Sequence, residues 1–483
     1  GVMFTKSTKA YPYNTAVGNA DPWLYLYRWA EYVPSMAKNG EDGAYMRGPA
    51  GEIAMSNTAT HDTFYTSATV GTTITPIKNW DINFDYTYAV TSTSQIRPGT
   101  RFYAYDTWSQ PALLYNEDGS AKMINNEWNE FNGLGSQIQD RGYSEIWYTS
   151  KGSGIDHIRQ SSSHAHRNTI NATTTYDLNI ADAHNLKFML GLNSVAYQSE
   201  SVWAQKTTLL DVKNPQFDLA TGTMTNGGGF SWNSTLGYFG RINYNYKERY
   251  LLEANIRYDG TSKFPGKLKW AWFPSFSAGW RVSEEPWMQG AKSVLSGLKL
   301  RASWGSIGDQ SVASSLYIPT MSPSTSTWIH ANAKDNYFGT PASVADNLTW
   351  QRIESLDFGL DMRLWNQFGI TFDWYQRDTK DMIVPGPGVG YAFGSTASKG
   401  NYGSLRTRGW ELTLDWGKAF DNGLSVNVTA SLADALTHIT EYGTANSISG
   451  WYNGKTYGEI WGFRSDGLFQ NEDFAHGANG NLI

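Results

Sequence analysis

His164 and His166 lie one residue apart, with His157 upstream, and are the first side chains in this sequence that could do chemistry. On an extended strand they project from one face, as two ligands of a shared metal ion would. A pair of polar residues at a strand's rim gives the same pattern, and that is the reading taken, so no metal is expected. Two acidic pairs, Asp373 with Asp378 and Glu411 with Asp415, could imitate the carboxylates of a glycosidase. On alternating strands such acids line a solvated face instead, and no catalytic residue is assigned. The glycine-rich run Gly386-Pro387-Gly388-Val389-Gly390 reads as a loop between strands, not a strand-to-helix cradle for phosphate. No phosphate-loop signature and no GxSxG nucleophile elbow occurs, so no enzyme and no cofactor are expected. Asn-x-Ser/Thr sequences at Asn171, Asn233, Asn347 and Asn427 would carry no information if the source were bacterial.

A different chemistry is offered by aromatic rings in or beside the longest irregular stretches. These are Trp203, Trp232, Trp328, Tyr337, Phe338, Tyr391, Phe393, Trp451 and Tyr452. Exposed aromatic planes suit the C–H faces of sugars and apolar peptide side chains. The same rings could pack the loops against each other or against a partner. They are the candidate substrate-binding residues.

The elements that hold these residues show themselves by parity. In Gly237–Gly260, Tyr238, Ile242, Tyr244, Tyr246, Tyr250, Leu252, Ala254, Ile256 and Tyr258 all fall at even positions. Arg241, Asn243, Asn245, Lys247, Glu253, Asn255, Arg257 and Asp259 fill the odd ones, with Phe239 and Leu251 the only clear violations. Successive side chains of a strand point to opposite faces, so this stretch has one apolar and one polar face. The pattern recurs at Ile82–Val90, Ile170–Ile180, Phe276–Val282, Leu298–Trp304, Leu356–Trp374 and Trp410–Leu432. Composition agrees: 15% aromatic residues, 48 glycines and only 17% charged residues describe a large all-β chain. A net charge of −6 gives no electrostatic case for nucleic acid. Cysteine is absent, which excludes disulfides and thiolate metal sites. No run of 18 apolar residues offers a membrane-spanning helix. No signal peptide is visible, and the opening GVMFTKSTKAYPYN reads as the interior of a longer chain.

Connections come in two sizes that alternate. Short turns are expected at Pro76–Trp80, Ala181–Asn185, Lys247–Arg249, Leu364–Phe368 and Lys418–Gly423. Long ones are expected at Thr91–Asp140, Gln205–Phe230, Gly308–Asn347, Pro385–Tyr402 and Glu441–Thr456. This is the pattern of a transmembrane antiparallel β-barrel with short periplasmic turns and long extracellular loops. A strand of about ten residues, tilted near 45°, crosses an apolar band about 25 Å tall. Even positions would then meet lipid and odd positions, Arg241, Arg257, Arg281, Arg301 and Arg363 among them, a wet lumen. Tyr244, Tyr246, Tyr250, Trp365, Trp416 and Phe420 would form the periplasmic aromatic girdle. The alternative is a soluble or surface-attached glycan-binding β-protein, in which the apolar face is buried.

The sequence also resembles a known family. GRINYNYKERYLLEANIRYDGTSKF, FPSFSAGWRVSEEPWM, LKLRASWGSIGDQ, ESLDFGLDMRLWNQFGITFDWYQRDTKDMI, NYGSLRTRGWELTLDW and YGEIWGFRSDGLFQ follow in order from Gly240 to Gln470. They resemble the SusC/RagA family of TonB-dependent outer-membrane transporters of Bacteroidetes-type bacteria. The resemblance implies a barrel of about 22 strands, of which about a dozen are legible here. Residues 1–483 would be one partial barrel domain. The TonB box and plug that precede such barrels are not found, nor is the Asp-rich segment expected after DGLFQ or the last strands. The resemblance further implies import of an oligosaccharide or oligopeptide, a SusD-like surface lipoprotein as lid, and a TonB complex acting through the plug.

Overall fold

The computed structural model describes residues 1–13, 57–99, 102–106, 144–148, 155–181, 183–314, 316–345, 347–443, 450–465 and 467. The strands are β1 Val2–Tyr13, β2 Asn57–Ile77, β3 Trp80–Gly99, β4 Phe102–Asp106, β5 Ser144–Tyr148, β6 His157–Ile180, β7 His184–Thr207, β8 Met224–Tyr246 and β9 Tyr250–Thr261. They continue with β10 Trp270–Arg281, β11 Leu295–Asp309, β12 Pro323–Thr325, β13 Asn336–Phe338, β14 Gln351–Leu364, β15 Phe368–Pro385, β16 Lys399–Ala419 and β17 Ser425–Tyr442. Thirteen of them form one sheet in the order β1-β2-β3-β6-β7-β8-β9-β10-β11-β14-β15-β16-β17, while β4–β5 and β12–β13 pair separately. The registers of β1 with β2 and from β8 through β17 are antiparallel.

The chain divides into two compact units. One comprises Gly1–Gly71, Asp85–Ile170 and Val195–Trp232. Its core is Ile158, Leu209 and Ala220, covered by Phe217. The other comprises Thr72–Phe84, Asn171–Ser194 and Asn233–Ile483. Its core gathers Phe264, Phe273, Ala345, Leu348 and Trp350.

The short turns fall where parity placed them: Lys78-Asn79, around Ala181 and Ala183, Lys247–Arg249, Trp365–Gln367 and Phe420–Leu424. Several turn without glycine. Asn79, Ala181, Lys247, Glu248, Trp365 and Asn366 all take positive φ, which costs an L-residue about 1–2 kcal/mol. Hydrogen bonds hold them there. Lys247 N–H donates to Ala183 O at 2.8 Å and Trp365 N–H to Val294 O at 2.8 Å. Glu248 N–H donates to Asn245 Oδ1 at 2.7 Å.

The long connections differ in extent from the sequence reading. Strands run further than the aromatic and glycine content suggested, so the stretch expected as a loop across Gln205–Phe230 shrinks to 208–223. Pro385–Tyr402 becomes 386–398, and β17 reaches Tyr442 before the final connection begins. β3 continues to Gly99, and most of the expected Thr91–Asp140 loop lies outside the described residues. Strands of 24 residues, such as β6 and β7, exceed the length needed to cross a bilayer.

The two faces decide between barrel and soluble sandwich. Even-numbered apolar side chains are exposed, not packed: Leu252 is 50% exposed, Phe276 54% and Leu432 62%. A water-soluble sandwich would cover them. The exposed face also carries two aromatic rows. Tyr246 and Tyr250 stack at 6.2 Å, and Tyr250 and Trp280 at 6.4 Å. Toward the loops, Tyr258 stacks on Trp272 at 4.3 Å, and Tyr238 and Tyr258 both stack on Trp270, at 6.3 and 4.9 Å. On β8, β9 and β10 alike the two rows are eight residues apart (Tyr238 to Tyr246, Tyr250 to Tyr258, Trp272 to Trp280). That is about 26 Å along a strand, or about 20 Å of height at a tilt of about 35–45°, close to the apolar band of about 25 Å between aromatic girdles.

The connection between β10 and β11 is on the turn end yet spans 282–294, with 3₁₀ turns at Val282–Glu284 and Pro286–Ala291. Its Glu285, 5% exposed, accepts the Trp280 indole N–H at 3.0 Å and Arg249 Nη1 at 3.3 Å. The Tyr250 hydroxyl, then the Trp280 indole, hold its carboxyl below the usual carboxylate range, against burial, with Arg249 assisting.

Two outcomes follow from these faces. Leu252→Arg places a charge on the lipid side and is expected to destabilise the folded barrel by about 2–4 kcal/mol. Ser277→Arg, opposite Glu253 on the polar face, should be nearly neutral; urea titration of heat-modifiable gel mobility compares the two. A lowered carboxylate pKa stabilises the fold above the ordinary 4.5, and that contribution is lost as pH falls through the lowered value. Hydrogen exchange across 285–294 should therefore quicken as pH drops below 4.5, after correction for intrinsic rates, and Glu285→Gln should flatten that dependence.

Candidate functional site

The polar face of the sheet is a set of side-chain ladders. On β8 and β9, Arg241 Nε donates to Asn255 Oδ1 at 2.5 Å, Asn255 Nδ2 to Glu253 Oε1 at 2.7 Å, and Asn243 Nδ2 to Glu253 Oε2 at 2.5 Å. Arg257 pairs with Asp259 through two hydrogen bonds. Further along, Arg301 on β11 grips Asp361 on β14 with Nε at 2.8 Å and Nη2 at 3.0 Å, and its Nη2 also reaches Asp373 on β15 at 3.2 Å. Gly359 lies between Arg301 and Asp373 in the register. A Cβ at Gly359 would sit 2.6 Å from Arg301 Cζ, so this glycine opens the space through which the guanidinium bridges two strands. Arg363 Nη2 donates to Asp415 Oδ2 at 2.9 Å. The arginines expected on a wet face are there, but they are tied to acids, across strands for Arg301 and Arg363 and along β9 for Arg257.

These ladders bound a hollow of about 740 Å³ toward the short turns, lined by Asn179, Asn243, Glu253, Lys299, Arg301 and Asp357 among others. Its walls offer amides, carboxylates and cations at fixed positions, which suits contact with a polar surface or solute.

The acidic pairs named from sequence come apart. Asp373 lies on the inner ladder with Arg301, whereas Asp378 has the opposite parity and pairs with Arg406 at 2.5 Å. Glu411 shares the inner face with Asp373 by register, and Asp415 is held by Arg363. Asp361, Asp373 and Asp415 are thus held by arginines as a wall. The histidine pair sits on the outward face: His166 Nδ1 meets the Tyr88 hydroxyl at 2.9 Å, and His164 Nδ1 the Ser92 hydroxyl at 3.1 Å. Gly386 opens the β15–β16 loop, its N–H donating to Ser398 O at 2.9 Å.

The loop aromatics fall into separate groups. Trp328 (82% exposed), Tyr337 and Phe338 project on the β12–β13 hairpin within the 310–350 connection. That long arm is rooted in the core of its unit. Trp350 packs against Phe264 and Phe273 at 5.7 and 5.4 Å, and its indole donates to Lys269 O at 2.9 Å. A Cβ at Gly308 would sit 2.2 Å from Phe273 Cζ, so glycine leaves the room that anchor needs. Tyr391 and Phe393 form an exposed 3₁₀ turn in the β15–β16 loop. Trp451 stacks on Tyr457 at 5.6 Å, with Lys455 Nζ over both Trp451 and Tyr452. The Tyr452 hydroxyl donates to Glu459 Oε1 at 2.5 Å, which raises the tyrosine's pKa and holds the carboxyl below its usual range. Trp203 and Trp232 are strand residues. Trp203 lies on β7 under the Arg159 guanidinium at 3.9 Å, and Trp232 on β8 shares the parity of Tyr238 and Ile242, on the lipid side. The anchor Trp350 and the Glu459 clamp were not foreseen; an Asn-Leu-Thr-Trp run ahead of a strand was the available signal for the first.

Residues 56–470 match the model of the TonB dependent receptor-like, beta-barrel family. The chain belongs to that family. Among curated relatives, TonB-dependent receptor P3 of Formosa agariphila is 26% identical over 334 residues, 65% of this chain and 33% of the relative. TonB-dependent receptor SusC of Bacteroides thetaiotaomicron is 32% identical over 208 residues, 41% of this chain and 20% of the relative. The chain thus spans about a third or less of the length of these relatives. The solved structure of the RagAB peptide transporter superposes with a TM-score of 0.63 at 17% identity, over 85% of this chain and 40% of that one. This likeness concerns the fold. The receptor barrel is an outer-membrane protein, and the relatives it resembles are receptors and transporters by name, not enzymes. The resemblance read from the sequence is borne out.

Trp350→Ala is expected to cost about 3–5 kcal/mol locally and to release the 310–350 arm. Limited proteolysis of the assembled receptor barrel should then cut within that arm at protease levels that leave the parent chain intact.

Proposed function

We propose that this chain supplies the wall and part of the mouth of a TonB-dependent importer, as one barrel domain across residues 1–483. One observation supports the reading above others. The apolar face stays exposed between two aromatic rows while the opposite face is a paired ionic wall, which suits a protein with lipid outside and solute or plug inside. The cargo is an oligosaccharide or an oligopeptide too large for diffusion through a porin. RagAB, whose barrel this chain resembles in fold, is described as a peptide transporter, which supports a large polar cargo. A SusD-like lipoprotein closes over the loops. TonB acts from the periplasm through a plug held against the inner ladders. The long arms then contribute their exposed aromatic planes to the cargo on the mouth side.

Trp328→Ala and Trp451→Ala in the full-length receptor should each weaken cargo capture about threefold to tenfold, the effect of losing one aromatic contact. Assembly should be unchanged. Uptake of labelled maltooligosaccharides and of labelled mixed oligopeptides by cells carrying each variant separates the two cargo classes. Equal uptake by variants and parent would remove these loops from the cargo path.

A further inference from the structure

The β10–β11 connection carries more than a turn requires. Tyr250 and Trp280 belong to the lipid-facing aromatic row at the periplasmic end, stacked in parallel at 6.4 Å. Glu285 is fastened to that row, through the Trp280 indole at 3.0 Å and Arg249 at 3.3 Å. A buried carboxylate thus holds the start of the next 3₁₀ turn on the outer rim of the barrel, at the level of the girdle. The six residues that follow, Pro286-Trp287-Met288-Gln289-Gly290-Ala291, carry no ionisable side chain. Charge returns on either side, at Glu284 and Lys292, which pair with each other at 2.9 Å. Trp287 is 66% exposed and only two residues, about 7 Å of chain at most, beyond Glu285. Met288 N–H and the Gln289 side-chain amide both return to Glu285 O, at 3.0 and 3.3 Å, so the turn is fixed to its anchor.

We propose that this connection is an interfacial anchor: the turn Pro286–Ala291 lies in the headgroup layer of the periplasmic leaflet, and the Trp287 indole inserts among the lipids there. The occupant follows from continuity with the lipid-facing aromatic row to which Glu285 binds the turn. Trp is the side chain that partitions best to this layer, with an apolar ring and one N–H donor. A neutral run flanked by a mutually satisfied ion pair can enter it without carrying an uncompensated charge. The anchor sets the depth at which this side of the barrel rides. It rests on the outer-membrane placement and not on what is imported, so its failure leaves the import reading untouched.

The test uses the full-length receptor in phosphatidylcholine nanodiscs, with a bimane label on Trp287→Cys. Quenching is read with nitroxide lipids labelled high or low on the acyl chain and with aqueous iodide. The expected result is strongest quenching by the high nitroxide and weak quenching by iodide. Glu285→Ala in the labelled background should lower the anchored population about tenfold, the effect of losing charge-assisted hydrogen bonds, and shift quenching toward iodide. If that variant fails to assemble, the label on the Glu285 background decides alone. Dominant iodide quenching overturns the proposal. So does protection from iodide that arises only when the periplasmic domain of the TonB protein is added, since that outcome makes Trp287 a protein contact.

Discussion

Lateral backbone pairing is the constraint from which the rest follows. A strand in hydrocarbon has no water for its N–H and C=O groups, each of which costs several kcal/mol if left unmade. The registers from β8 through β17 satisfy these groups sideways, strand after strand, with few irregularities. Pairing in that direction leaves two free directions, above and below the sheet. Each strand can then present opposite chemistry to two media, which is why period-two alternation carries so much of the fold.

The inner ladders show how the second medium is met. Arg301 with Asp361 and Asp373 is part-buried, and Arg241 with Asn255 and Glu253 is more open. Isolated pairs of this exposure contribute little stability. As ladders they do something else: they fix cations and anions at set positions on a wall, with Gly359 admitting the bridging guanidinium. Such a wall presents fixed charges to whatever lies on that side.

Much of the fold was legible because parity is a local signal. The exposed even face, the turn positions and the aromatic girdle could be read from residues such as Tyr250, Leu252 and Trp280 without knowing their neighbours. Strand ends could not. Trp203 precedes a polar stretch and Trp232 follows three glycines, and only pairing beyond the membrane band keeps them in strands. The acidic pair Asp373/Asp378 looked like a unit by spacing, yet an odd offset of five puts the two carboxylates on opposite sides of the sheet. The Trp350 anchor and the Glu459 clamp depend on contacts between segments distant in sequence, such as Trp350 with Lys269. No local pattern announces them.

The two aromatic rows have a mechanical consequence. They are joined covalently by eight residues of extended chain on three adjacent strands, and an extended hydrogen-bonded strand hardly stretches. The protein's preferred oily height is therefore stiff, while the surrounding lipid is soft. Where membrane thickness and that height disagree, the acyl chains must compress or lengthen around the wall, at fractions of a kcal/mol per Å of mismatch. Neighbouring barrels of equal height would share one such deformed annulus, so elastic strain in the lipid alone would draw them together.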